Sequence, residues 1–391
     1  MAYAGSTIER IGSIAVVISI PLFLISVILL VFDFISAYKH GFMAIIGGFT
    51  VFCLGVTLPL YASLVGGYPR IGFDMLSPVI SIVAAIFSII VSVWGDFPLA
   101  LLLLLTSMAS AVAFSFSQLV KSKPRSPQRY VLIYPYIVGF LAPVYGYVWN
   151  SLWGFFILYS VGFASPLVGV VGFFYLSRSY SSRRPMLGLL GLLFNVTYVV
   201  TYIIVNTAGI DDRLWLAMPF ILASTSFLIV SISLGFWSGF RSSADQVRYM
   251  AKGHSIQFAG ILLSFIYALN IYYTDSHVDW IIYYIHSLLI GHALVGIYTQ
   301  AIMLSPLIIA STWKRRRLSI APHILALGAV ITRPFYPEIS GFLVVASIVY
   351  MLALMRPSIK RILYILIFGT ERGYLLAYKD GVKSKRLKSI N

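Results

Sequence analysis

Long apolar runs alternate with short polar stretches along the whole chain, and the pattern predicts twelve helices that each cross a bilayer. The runs fall at approximately Ile11 to Phe32, His40 to Ser63, Ser77 to Trp94, Pro98 to Val120, Val131 to Trp149, and Leu152 to Leu176. The rest fall at Met186 to Ala208, Leu214 to Phe240, Ser255 to Tyr273, Ile281 to Trp313, Leu318 to Phe335, and Ile339 to Met355. A span needs about 20 apolar residues, because every backbone polar group in hydrocarbon must be satisfied within the helix. The eleventh run is the shortest, with Arg333, Pro334 and Pro337 crowding its end. The fold expected is an all-α integral membrane bundle over residues 1–356, followed by a basic tail over residues 357–391. In that tail Ile359 to Phe368 is too short to cross and is expected to lie along the inner surface. Asp380 and Gly381 are expected to turn a small hairpin.

Composition agrees with this pattern. Hydrophobic residues make up 60% of the chain and charged residues 10%, with a mean hydropathy of +0.92, far from the roughly 25% charged residues of a soluble domain. The net charge of +16 raises nucleic acid as a partner, but the basic residues sit in short loops, where membrane orientation accounts for them. The leader, the even-numbered loops and the tail carry 25 Lys and Arg, against three on the other side, Lys39, Arg213 and Arg333. By the positive-inside rule both termini are expected in the cytoplasm and the protein in the cell membrane. No cleavable signal peptide is expected, since the run from Ile11 is a full-length span. Cys53 is the one cysteine, so neither an intrachain disulfide nor a thiolate cluster can form. The acceptor-like Asn195-Val-Thr lies mid-span and is not expected to be glycosylated.

The loops are too short to hold a soluble domain, so chemistry must lie in the bundle or at its faces. All 12 carboxylates fall in loops, tails or span ends, which argues against a carboxylate path for protons or sodium and against a lipid-linked glycosyltransferase. Six histidines remain. His277 lies in an outer loop, and His254 opens the ninth span as an interfacial imidazole. His40 opens the second span at its outer end, where Gly41 leaves room for a flat ligand. His286 and His292 lie inside the tenth run and His323 near the start of the eleventh. Ionisable groups at membrane depth usually face the bundle and bind something, and imidazole is the commonest metal ligand.

Helix rise separates His286 and His292 by about 9 Å and about 120°, too far to serve one metal ion. Counted inward from Trp280, His286 lies about 9 Å deep and His292 about 18 Å. His323 comes to about 22 Å in a core of about 30 Å. Depth therefore pairs His40 with His286 and His292 with His323, the second pair holding a haem, a metal ion or only a hydrogen bond.

Three stretches carry a family resemblance. His40-Gly41-Phe42-Met43 resembles the H-G-x-x-M signature of the second helix of haem-copper oxidase subunit I, whose histidine is an axial ligand of low-spin haem. The continuation GGFTVFCLGVTLPLY resembles the glycine-rich run of the NnrS-type membrane proteins. GHALVGIYTQAIMLSPLI resembles their H-A-L-x-x-G helix, and PHILALGAVITRPF the helix after it, with its histidine and its outer arginine. The resemblance implies haem b or a similar haem near the outer leaflet, held among His40, His286, His292 and His323, with Arg333 on a propionate. Its motif favours His292 as a haem ligand where depth favours His286. Leu152 to Ala208 contains no histidine, so the family's copper site and oxygen reduction are not expected. Electron transfer in or beside a respiratory complex follows, with quinol or a redox subunit as partner. A twelve-helix secondary transporter and a non-catalytic assembly or scaffold subunit are the rival readings.

Overall fold

The computed structural model describes residues 5–32, 34–65, 72–122, 133–169, 180–301 and 318–357, with 359, 360 and 363. The described residues are helical, with no strand among them. Ten helices are long and apolar enough to cross a membrane, as expected of a multi-pass membrane protein. In chain order they and two shorter helices are α1 (Gly5–Val31), α2 (Ala37–Gly41, Phe42–Thr50 and Val51–Val65 end to end), α3 (Phe73–Trp94), α4 (Phe97–Ser122), α5 (Tyr134–Val148) and α6 (Leu152–Gly169). Then follow α7 (Pro185–Thr207), α8 (Arg213–Leu234), α9 (Asp245–Tyr273), α10 (His277–Ala301), α11 (Ala321–Thr332) and α12 (Pro337–Leu354). The shorter two are α5 and α11. The predicted ends at Leu176 and Trp313, and nearly all of the tail with its surface helix and hairpin, lie outside the described residues.

Helix ends differ from the apolar runs where polar residues stay helical. The third run starts at Ser77, but α3 starts at Phe73 and carries Asp74 into the protein, 2% exposed. Both its carboxylate oxygens lie 2.6 Å from Lys121 Nζ on α4, and one accepts a hydrogen bond from Ser117 at 3.0 Å. A buried carboxylate survives only when paired in this way. The ninth run starts at Ser255, yet α9 begins at Asp245, which pairs with Arg248 one turn on. The eighth run extends to Phe240, but α8 stops at Leu234 because Gly235 adopts φ +64, and Phe236–Arg241 continues as a tighter 3-10 turn. A Cβ on Gly235 would lie 2.5 Å from the Ser182 backbone, so no other residue fits this corner.

Three helices form the centre. The windows of α2, α6 and α10 are 78%, 89% and 67% buried inside the bundle, whereas those of α1 and α12 are each 28% buried. Each central helix contains a π-helical stretch, Phe42–Thr50, Ser160–Ala164 and Ser287–Leu294, and the stretch in α6 touches the other two. The helices just before them, α1, α5 and α9, each pack on their own central partner, while α3 with α4, α7 with α8 and α11 with α12 form tight pairs. The described chain thus repeats a four-helix unit three times, and α12 packs back on α1. Outward faces carry exposed Phe87, Ile90, Val200 and Ile204, an apolar belt suited to lipid.

Between α9 and α10 two backbones come close together. A Cβ built on Gly260 would lie 2.5 Å from the Gly291 carbonyl oxygen. Small residues let membrane helices touch this closely, and the contact sets α9 against the π-helical part of α10.

Candidate functional site: two groups of buried imidazoles

The first group joins α2, α10 and the end of α11. His40 Nδ1 lies 3.1 Å from the carbonyl oxygen of Ser26 on α1, and His286 Nδ1 lies 2.8 Å from the carbonyl oxygen of Ile282 one turn back. A carbonyl can only accept, so both Nδ1 atoms carry the proton and both Nε2 atoms present a lone pair. Each ring is partly buried, and each lies within electrostatic reach of Arg333. Arg333 stands at the C-terminal cap of α11, where its Nη1 donates to Pro337 O at 3.4 Å. Its Nε is buried without a hydrogen-bond partner.

Gly41 does not open a slot for a ligand. A Cβ at that position would meet the Phe156 ring of α6 at 2.8 Å, so a side chain already fills the space. Phe156 in turn stacks on Tyr38 and meets Phe42 edge-on, with ring centroids 6.3 and 5.4 Å apart. These rings wall the His40 end of α2 with apolar surface.

The second group lies deeper and contains a residue the apolar pattern placed elsewhere. His254 is not interfacial: because α9 starts at Asp245, it sits more than two turns inside the helix and is 2% exposed. Its Nδ1 lies 2.8 Å from Gln257 Oε1, and Gln257 Nε2 lies 3.0 Å from His292 Nδ1 and 3.1 Å from His292 O. Gln257 is therefore the hydrogen-bonding partner of His292. His323 is fully buried, with Nε2 at 3.2 Å from Thr299 Oγ1, and it lies within electrostatic reach of His254. His254 Nε2, His292 Nε2 and His323 Nδ1 are all buried without a hydrogen-bond partner.

Aromatic rings surround this group. Phe227 lies against His292 with centroids 4.8 Å apart, while Tyr249 and Tyr298 present their edges to His323 at 5.5 and 5.6 Å. His277 joins neither group, since its Nδ1 bonds Ile271 O at 3.0 Å and ties the turn between α9 and α10. Among the described residues no three His, Cys, Asp or Glu side chains gather to hold a metal ion. Gln257 escaped the sequence reading, although its position three residues after His254 places both on one helix face. The sequence matches no family model, and no curated protein is similar to it.

Proposed function

We propose that this chain is a haem-binding membrane protein of twelve spans with both termini in the cytoplasm of the cell, passing electrons through a haem held by His40 and His286. One observation carries the reading: two imidazoles on different helices, each with its Nδ1–H fixed on a backbone carbonyl and its Nε2 lone pair unengaged. Metal-ligating histidines are oriented in this way, the second hydrogen bond fixing both tautomer and ring direction. The residues present fit the group. A buried guanidinium N–H without a partner suits a propionate, and Tyr38, Phe42 and Phe156 supply an apolar wall. His40 and His286 would hold the haem, which would supply a one-electron couple rather than oxygen chemistry.

The chain's own contributions follow from position. Ser26 and Ile282 hold the rings, Arg333 supplies positive charge beside them, and the aromatic wall keeps water out. The resemblance to haem-copper oxidase subunit I and to NnrS-type proteins points the same way, with a quinol or a redox subunit as electron partner. An absorption spectrum of the purified protein, reduced minus oxidised, tests the reading; a spectrum without low-spin haem bands refutes it.

Arg333→Leu is expected to lower haem retention or shift the redox potential, because a haem carboxylate loses its counter-charge. An unchanged potential and haem content would assign Arg333 to the membrane interface, where long cationic side chains snorkel to headgroups. Orientation is tested separately. A cysteine placed near Asp275 is expected to react with an impermeant thiol reagent added outside intact cells, and one near Ser319 is expected to be shielded. The reverse pattern would move every site to the opposite face.

A secondary transporter is the second reading, favoured by the polar cluster of His254, Gln257 and His292 inside an otherwise apolar bundle. Haem-free protein that binds a small solute at this cluster would establish it.

A further inference from the structure

Where α11 begins decides what stands beside the first turns of α9. Pro322 lies in the first turn of α11, a place proline tolerates well, and the helix starts at Ala321. Leu318 to Ile320 lead up to it without helical structure. Because α9 starts as early as Asp245, its first two turns stand beside this short segment, and Tyr249 OH ties the two by donating to Ser319 O at 3.3 Å. Between them lies a cavity of about 340 Å³, lined by Asp245, Arg248, Tyr249, Lys252, Leu318 and Ile320. The four residues from α9 have the spacing of a single helix face. Lys252 is exposed, so the cavity opens at the surface of the bundle.

The lining joins charge to apolar surface. Arg248 pairs with Asp245 and donates from Nη1 to Ser242 O at 2.8 Å, which holds its guanidinium in place. A guanidinium has five N–H donors, so it can serve a further acceptor as well. Lys252 takes part in none of the ion pairs among the described residues. Two cations against one carboxylate leave the lining with one positive charge. Leu318 and Ile320 are half-buried, pack on the main core and give the cavity an apolar side.

We propose that this cavity holds the phosphodiester headgroup of an anionic membrane lipid. A phosphodiester carries one negative charge, which balances the lining, and a fixed guanidinium suits its paired oxygens. Asp245 would repel the phosphate but for its own pairing with Arg248. The apolar side accepts the glycerol and the first methylenes, a contact that free phosphate has no use for. The cavity lies at the polar end of α9, a helix long enough to cross a membrane, and headgroups lie at that level. A lipid seated there links α9 to the segment leading into α11. Tyr249 carries the link inward, because its ring meets His323 edge-on with centroids 5.5 Å apart. Haem plays no part, since none of the lining residues belongs to the group of His40, His286 and Arg333.

The test uses the full-length protein, stripped of lipid in a mild detergent and titrated separately with phosphatidylglycerol, phosphatidylcholine and inorganic phosphate. Native mass spectrometry and thermal unfolding read the result. One phosphatidylglycerol per chain is expected to be retained and to raise the unfolding midpoint, whereas phosphatidylcholine and phosphate leave it unchanged. Lys252→Gln is expected to weaken retention about fivefold, the effect of one cation near a membrane surface. Leu318→Trp, which fills the cavity at constant charge, is expected to abolish it. Arg241→Gln removes an exposed cation of the same region that does not line the cavity, and is expected to retain the lipid. No preference for phosphatidylglycerol over phosphatidylcholine in the unsubstituted protein overturns the proposal. Equal weakening by Lys252→Gln and Arg241→Gln overturns it too, because general surface attraction then suffices. Full retention in folded Leu318→Trp removes the lipid from the cavity, and where that variant does not fold, the comparison of Lys252→Gln with Arg241→Gln decides. Phosphate that raises the midpoint as phosphatidylglycerol does, and loses the effect in Lys252→Gln, would replace the lipid by a free anion.

Discussion

Alanine at His40 or at His286 is expected to abolish low-spin haem, at least tenfold less haem per protein than in the unsubstituted chain, whereas His292→Ala is expected to keep it. The asymmetry comes from hydrogen bonding rather than from burial. His40 and His286 each present an Nε2 lone pair, because Ser26 O and Ile282 O fix the proton on Nδ1. His292 has its Nδ1 lone pair engaged by Gln257 and its Nε2 protonated, so it offers iron nothing without breaking that bond. Haem extraction and quantification on the three variants, with size-exclusion profiles to confirm folding, read the result. Loss in His292→Ala with retention in His286→Ala would move the ligand one and a half turns along α10, to where the family motif places it. Full haem content in every variant would remove the haem reading and promote transport.

Gly260→Leu is expected to produce the largest loss of stability. The added Cβ would lie 2.5 Å from the Gly291 carbonyl oxygen and 2.6 Å from its carbon, and these are backbone atoms that cannot rotate away. Overpacking a well-filled interior costs about 1–3 kcal/mol, and a side chain driven into backbone belongs at or above the top of that range. Gly328→Ala is the control, since the nearest atom to its Cβ is Leu343 Cδ1 at an ordinary 3.8 Å. It is expected to be neutral or slightly stabilising, because alanine is the better helix former by about 1 kcal/mol. Thermal unfolding in detergent separates the two variants, and equal midpoints would show that the seam between α9 and α10 is not tight in the membrane. Haem content is expected to fall with Gly260→Leu even though the residue touches neither His40 nor His286, since α10 carries one of the rings.

The helical fold was readable from hydropathy because the bilayer leaves the chain few choices. Ten runs coincide with helices able to cross it, and α5 and α11 fall within the fifth and eleventh runs. What hydropathy missed were features with no hydropathic signature. Phe42 to Thr50 reads FMAIIGGFT, as apolar as any α-helical turn, yet its hydrogen bonding is π-helical. Asp74 and Asp245 marked loops by their charge, whereas ion pairs with Lys121 and Arg248 let both helices begin earlier and drew His254 inside. The pairing of His40 with His286 rests on depth along a straight helix. The partners that fix their tautomers lie on other segments or on the backbone and could not be deduced from spacing. The repeat also stayed hidden, because it is a repetition of helix roles and not of residues.

That α12 returns to α1 orders the assembly of this protein in time. Neighbouring helices in the sequence are mostly neighbours in space, so each can find its partner as it enters the membrane. One contact cannot form early: a Cβ on Gly341 of α12 would lie 2.5 Å from Val31 Cγ2 of α1, a fit between two helices some 300 residues apart in the chain. Until α12 arrives the assembly is an open arc with two unsealed edges, and a ribosome that stops short leaves α1 without this neighbour. Contact between α12 and α1 therefore comes only after the helices between them have been made, and a membrane protease that recognises loosely held helices would act on chains that have not reached it.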